Sequence, residues 1–313
     1  MAEWTFVVAR GEMDLDKFKI LNRIKELYQE NKNIIETLKN MDQRTYNTTE
    51  DILISYDFQA GAYTKGYLNH PRLKNLRDEY CRHLAALIDN LDPFASILEV
   101  GVGDATTLGL LLSFMQRKPG KCYGFDISWS RIKYARRFLE ELGIHGVELF
   151  TGDMFNAPLK DSSIDIVYTS HAIEPNGGRE AEALQELYRI TNKYLILLEP
   201  SYDLADEEGK KRMLNHGYIT KLYPTALELG LPVVEYRRFE VSLNPLNPTA
   251  LMVIRKGGDA KVTQPLCCPI TKADISMVRN AYFSEHSLLA YPILDGIPCL
   301  LPQNAILATK FLD

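Results

Sequence analysis

From residue 72 to residue 255, short apolar runs alternate with stretches of helical periodicity, and this alternation restricts the fold more than any other feature of the chain. SILEV (96–100), CYGFDI (122–127), VELFTGD (147–153), IDIVYTS (164–170) and YLILLEP (194–200) read as strands. Helices are expected over 72–90, 105–116, 130–143, 179–190 and near 210–222. Strands separated by helices of ~10–15 residues imply a parallel sheet with helices on both faces. Such strands are buried on both sides, and ILEV and LILL have the continuous apolar character that this requires. Two later strands, 233–243 and 249–255, are joined by NPLNP (244–248). Proline suits a turn and cannot serve a central ladder, so this pair is expected to form an antiparallel hairpin closing one edge.

Composition limits the classes of function. Lys and Arg number 36 against 41 Asp and Glu, a net charge of −5, which excludes a generally basic nucleic-acid-binding surface. The longest apolar stretches, LGLLLSFM (108–115) and YLILL (194–198), fall well short of a membrane span of ~20 residues. The N-terminus lacks the charged-then-apolar layout of a secretion signal. Five cysteines, an odd number spread over 313 residues, do not form a secreted disulfide framework, and a cytoplasmic location is expected.

The chain divides by character into residues 1–71, 72–256 and 257–313. Between Asp14 and Asn47, apolar residues including Phe18, Leu21, Ile24, Leu27, Ile34 and Leu38 recur at helical spacing. They predict one or two amphipathic helices, either a cap on the main domain or a dimerising face. GGDAKVTQP (257–265) reads as a linker to a small α+β appendage.

Candidate chemistry concentrates in ILEVGVGDATT (97–107). Gly101 and Gly103 let the chain turn sharply after a strand and let a ligand approach the backbone. A dinucleotide fingerprint needs a third glycine where this chain has Thr106. Glu99 would repel a pyrophosphate but attract an ammonium group. Asp126, closing the second strand 23 residues after Gly103, is placed to accept ribose hydroxyls. Asp153 can accept from an exocyclic amine while Ile127 and Met154 pack on an adenine ring. The order suits a ligand with an amino acid end, a ribose and an adenine, but no phosphate. Asp165 is read as structural, and the Arg131, Lys133, Arg136, Arg137 cluster as a solvated helix face.

EVGVGDAT, GFDIS, TGDM and DSSIDIVYTSHAIE together resemble the class I S-adenosylmethionine-dependent methyltransferases over about residues 72–255. The resemblance implies a doubly wound, seven-stranded, mostly parallel Rossmann-like sheet. It also implies S-adenosylmethionine as cofactor, S-adenosylhomocysteine as product, and a cofactor site at Tyr63, Glu99, Gly101, Gly103, Asp126, Ile127, Asp153, Met154 and Ser170. SYDFQAGAYTKG (55–66) would supply a lid, with Tyr56 or Tyr63 facing the sulfonium. Acceptor-side groups in this family come from loops after the fourth and fifth strands, which brings in His171, Glu174, Glu199 and Tyr202, with His216 soon after. A histidine titrates nearest neutral pH, so His171 or His216 is the first choice for a base.

LCCPITKADI and LLAYPILDGIPCLLPQNA resemble the small zinc-ribbon proteins that activate tRNA and other methyltransferases, and their short bacterial relatives. Thr271 and Ser284 stand near expected ligand cysteines, so no metal is expected, and apolar packing from Leu288, Leu289, Tyr291, Ile293, Ile297 and Leu300 would hold the segment. The leading expectation is methyl transfer to a hydroxyl or amine of a small-molecule or glycan-type acceptor. The alternatives are a tRNA- or protein-modifying enzyme carrying its activator in cis, and a non-catalytic scaffold. RNA is disfavoured as a partner, no membrane is expected, and a homodimer would form through the N-terminal helices or the appendage.

Overall fold

The computed structural model describes residues 15–313. Asp14, where the first helical pattern begins, lies outside the described residues. Among the described residues three helices come first, α1 (Leu15–Lys19), α2 (Leu21–Gln29) and α3 (Ile34–Met41), where one or two were expected. The residues between α2 and α3 break the pattern: Asn31 takes a left-handed φ of 60°, and the Asn33 side chain caps α3. Helices α4 (Thr49–Phe58) and α5 (Ala62–Asn69) follow, so the proposed lid segment is helical on both sides of a short turn. Ile24, Ile34, Leu38 and Ile54 form a small apolar core among these helices.

The central sheet contains β1 (Ser96–Val100), β2 (Lys121–Asp126), β3 (Val147–Thr151), β4 (Ile164–Ser170), β5 (Thr191–Pro200), β6 (Val233–Arg238) and β7 (Thr249–Arg255). Their order is β3-β2-β1-β4-β5-β7-β6. The first five are parallel, and β7 enters antiparallel between β5 and β6, which gives the expected edge hairpin. Because side chains alternate across a strand, Ile97, Ile166 and Ile196 meet one helical layer and Leu98, Val167 and Leu195 the other. The first layer is α6 (Pro71–Asp89), α7 (Thr106–Phe114) and α8 (Trp129–Glu141). The second is α9 (Glu180–Ile190) and α11 (Leu222–Glu228). The region expected as one helix near 210–222 is instead split, with α10 (Glu207–His216) ending at Gly217, which takes a left-handed φ of 68°.

Asp165 is fully used by the fold: it accepts from the Ala95 backbone N–H (2.7 Å) and the Asn192 amide (2.8 Å).

The C-terminal segment forms a second sheet from β8 (Ser276–Val278), β9 (Ala281–Ser284), β10 (Leu289–Leu294), β11 (Ile297–Pro298) and β12 (Ile306–Leu307). It seals the otherwise open edge at β3. Thr151 bridges in parallel to Cys299, and the Leu300 N–H donates to the Thr151 carbonyl at 3.1 Å. Nearby, the Cys267 N–H donates to the Pro158 carbonyl (3.0 Å), and Leu266, Cys268, Tyr291 and Leu300 join the apolar layer that holds Phe150 and Leu159. A bare edge strand invites pairing with other chains, and here that edge is covered from within. Tyr291, Ile297 and Leu300 are buried as expected, but Leu288 is exposed at a left-handed φ of 56°, outside the packing set. Among the described residues no group of three or more His, Cys, Asp or Glu is arranged to hold a metal ion, and no helix is long and apolar enough to cross a membrane.

Candidate active site

Strand order reverses between β1 and β4, so the loops leaving those strands diverge and open a crevice at the carboxyl edge of the sheet. Gly101 and Gly103 line it with φ values of 68° and 54°. A side chain at Gly101 would collide with Ala172 in the loop after β4. At Gly103 a Cβ would lie 2.6 Å from the Arg131 guanidinium. Ala105, at φ 57°, then leads into α7.

Two cavities meet around Tyr56, Gly101, Arg131 and His171. The smaller, about 70 Å³, contains Asp126, Ile127, Asp153 and Met154. The larger, about 690 Å³, contains Tyr63, Glu99, Gly103, Ser170, His171, Glu174 and His216. Every residue assigned from sequence to cofactor binding therefore lies on one connected cleft. Tyr202 does not. It borders a separate small pocket beside Tyr223 and Tyr236, because the chain turns away from the crevice after β5. This removes Tyr202 from the set of acceptor-side groups.

The carboxylates differ in setting. Asp126 accepts from the backbone N–H groups of Gly103 and Ser128, both at 2.9 Å. Each oxygen thus keeps a lone pair for a further donor. Burial raises the Asp126 pKa, while Arg131 and the two N–H groups pull against that rise. Asp153 accepts from the Phe155 N–H at 3.0 Å, and burial raises its pKa too. Glu99 is 2 % exposed and accepts from the Tyr168 hydroxyl at 3.0 Å. Burial pushes it up to about 8, against the pull of Tyr168 and of Arg77 on α6.

The lid helices are tied to both flanks of the glycine loop. Asp57 on α4 accepts from the hydroxyls of Ser128 (2.7 Å) and Ser130 (3.0 Å) at the start of α8. Asp104 accepts from the N–H and hydroxyl of Thr64 and from the Tyr63 N–H on α5. Arg131 pairs with Asp104 at 3.4 Å and lies over the Tyr56 and Tyr63 rings. It is 9 % exposed, which corrects the solvated-face reading of its cluster. Only the outward members follow that reading, and Lys133 and Arg136 pair with Asp295 of the appendage. Arg131 and Lys133, two residues apart, point to different faces of α8, and a charge count could not say which of them faces inward.

The loop after β4 is organised by Glu199, whose carboxylate accepts the N–H groups of Ala172 (2.9 Å), Ile173 (3.2 Å) and Glu174 (3.1 Å). This holds His171 at φ 57° with both ring nitrogens occupied, Nδ1 by Glu174 (2.7 Å) and Nε2 by the Thr249 hydroxyl (2.9 Å). Burial lowers the His171 pKa, but Glu174 and Glu199 outweigh it and the net shift is upward. His216 differs. Its ring stands 5.2 Å from that of Tyr218 at the cavity wall, and burial together with Arg212 and Lys39 lowers its pKa. A lowered pKa leaves it neutral, and able to accept a proton, at neutral pH.

Sequence reading missed Arg77, Lys39 and Arg212, which line the larger cavity from α6, α3 and α10. Isolated cations on amphipathic helices carry no motif, and only the packing of those helices brings them together.

This crevice, with paired glycines and three acids but no phosphate-seeking third glycine, defines an S-adenosylmethionine-dependent methyltransferase on a Rossmann-like sheet. A methyltransferase-domain family model matches residues 97–193. The donor set is compatible with that cofactor, since Glu99, Asp126 and Asp153 line the cleft and retain acceptor capacity. The C-terminal segment matches a UPF0434 protein of Nitrobacter winogradskyi at 43% identity over 49 residues, 15% of this chain and 74% of that one. Mitochondrial protein preY of Xenopus tropicalis is 32% identical over 83 residues, 26% of this chain and 68% of its own. A solved geranyl diphosphate methyltransferase in complex with GPP and sinefungin shares the fold, with a TM-score of 0.51 at 10% identity over 66% of this chain and 98% of that chain. Through its C-terminal segment, the chain belongs to the UPF0434 family.

Proposed function

We propose that the protein methylates a hydroxyl or amine of a small-molecule acceptor held in the larger cavity. The observation that carries this reading is the size of that cavity. Helices α3, α4, α5 and α10 wall a space of about 690 Å³, within the range of small-molecule sites. The net charge of −5 argues against a polyanion such as tRNA as the acceptor.

S-adenosylmethionine, when bound, supplies an electrophilic methyl group on a sulfonium. Glu99 and Arg77 would hold the amino acid end, Asp126 the ribose, and Asp153 with Ile127 and Met154 the adenine, beside the Gly101 turn. Ser170 would shape the floor through its bond to Tyr80 at 2.9 Å. His216, whose ring nitrogens make no hydrogen bond among the described residues, would take the acceptor's proton. His171 and Glu174 would position the loop. Positioning and proton removal are what such a reaction asks of the protein.

The test is incubation with methyl-labelled S-adenosylmethionine and either a metabolite extract or total RNA. Label entering the low-molecular-weight fraction, and reduced at least tenfold in His216→Ala, supports the reading. Label entering RNA alone overturns it.

A further inference from the structure

On the wall of the larger cavity away from the glycine loop, two cations lack a carboxylate partner among the described residues. Lys39 on α3 is 6 % exposed, and its ammonium makes a single 3.3 Å bond to the Asn215 carbonyl. Arg212 on α10 lies over the Tyr218 ring, 5.5 Å from its centroid, and its Nη1 is buried without a hydrogen-bond partner. A buried donor left unpaired is costly, so such groups are rare unless something completes them. Glu174, an acid lining the same cavity, is committed to His171 at 2.7 Å and to the Asn247 amide at 3.0 Å. Glu36, the other acid at this end of the cavity, is exposed at its rim. Burial first, and then both cations, depress the pKa of His216 on the same wall.

We infer that the methyl acceptor carries an anionic group, a carboxylate or a phosphate, which Arg212 and Lys39 bind. Arginine suits either anion because its planar fork matches both in two-point geometry. The inference rests on the small-molecule reading above and adds a spacing. Arg212 and His216 are four residues apart on α10, so they share one face about 5–6 Å apart. The nucleophile presented to His216 and the anion therefore sit about one helical turn from each other, on a scaffold that can lie along Tyr218. Asn247 Oδ1, also buried and unpartnered, is a third group at this wall that can accept a hydrogen from the acceptor.

The experiment is calorimetry on the full chain. Binding of S-adenosylhomocysteine is measured first, and the saturated protein is then titrated with benzoate, phenyl phosphate or the neutral benzamide. At least tenfold tighter binding of one anion over benzamide is expected, and the tighter anion names the group. Arg212→Met and Lys39→Met should each remove most of that preference while leaving S-adenosylhomocysteine affinity within threefold, which also shows that the variants are folded. Arg212→Lys should keep part of the preference. Equal affinities for anionic and neutral probes overturn the inference and leave the methyltransferase reading standing, as does a preference that survives both methionine variants. Failure of the wild-type chain to bind S-adenosylhomocysteine removes both.

Discussion

Glu174 Oε2 lies 2.7 Å from Nδ1 of His171, and the Thr249 hydroxyl closes the other ring nitrogen at 2.9 Å. The imidazole is thereby fixed in orientation and biased toward its charged form, since its pKa is raised despite burial. In Glu174→Gln the charge that outweighs burial is gone. The His171 proton affinity should fall about tenfold or more, measured by NMR titration of the ring. The sign for stability follows: the contribution of this pair is complete below the ordinary histidine pKa and is lost as pH rises through the raised one. Wild-type protein should lose stability relative to Glu174→Gln across that interval.

Glu99 leads to a second prediction. Because burial pushes it up to about 8, it is mostly protonated at neutral pH when no cation is near. An ammonium group at its side favours the carboxylate. Cofactor binding at pH 7 should release close to one proton, and affinity should rise with pH until about 8 and then level off. Calorimetry in two buffers of different ionisation enthalpy measures the proton count. Glu99→Gln should release none and bind at least tenfold more weakly.

Gly103→Ala tests the close approach. The substituted residue would sit at a left-handed φ of 54° with its Cβ against the Arg131 guanidinium. The left-handed conformation alone costs ~1–2 kcal/mol for an L-residue. Displacing Arg131 would also loosen its 3.4 Å pair with Asp104 and the α5 start that Asp104 holds. Cofactor affinity should drop more than tenfold, with a smaller loss in thermal stability.

Leu300 is fully buried in the apolar layer shared with Phe150 and Leu159. Leu300→Ala should cost ~2–5 kcal/mol. Since that layer is continuous from the appendage to the central sheet, unfolding monitored near Trp129 and by far-ultraviolet dichroism should remain one transition at a lower midpoint. Two separated transitions would mean that the appendage folds independently of the sheet.

The strands were legible because burial on both faces writes an uninterrupted apolar run, and ILEV and LILL reappear as β1 and β5. The residues proposed for the cofactor could be placed on one cleft from sequence because Gly101, Gly103, Asp126 and Asp153 lie at or just past strand ends, where topology alone brings them to one edge. The wall proposed for the acceptor was not legible. Lys39 and Asn215 are 176 residues apart and meet only through helix packing, which leaves no local signature. Tyr202 was misplaced for the converse reason, since proximity in sequence to β5 did not keep it at the crevice. Arg131 shows that a charged helix face cannot be told from a buried pair until its partner, here Asp104, is known.

The edge-to-edge contact of Thr151 with Cys299 and Leu300 lies two residues before Asp153, so the loop that borders the smaller cavity begins where the appendage is docked. Both halves of that joint are translated as one polypeptide. Their association is therefore first-order and indifferent to dilution, with an effective concentration set by the span of residues 257–265 rather than by expression of a second gene product. An enzyme built this way is supported on its β3 flank at any copy number, down to a single molecule per cell.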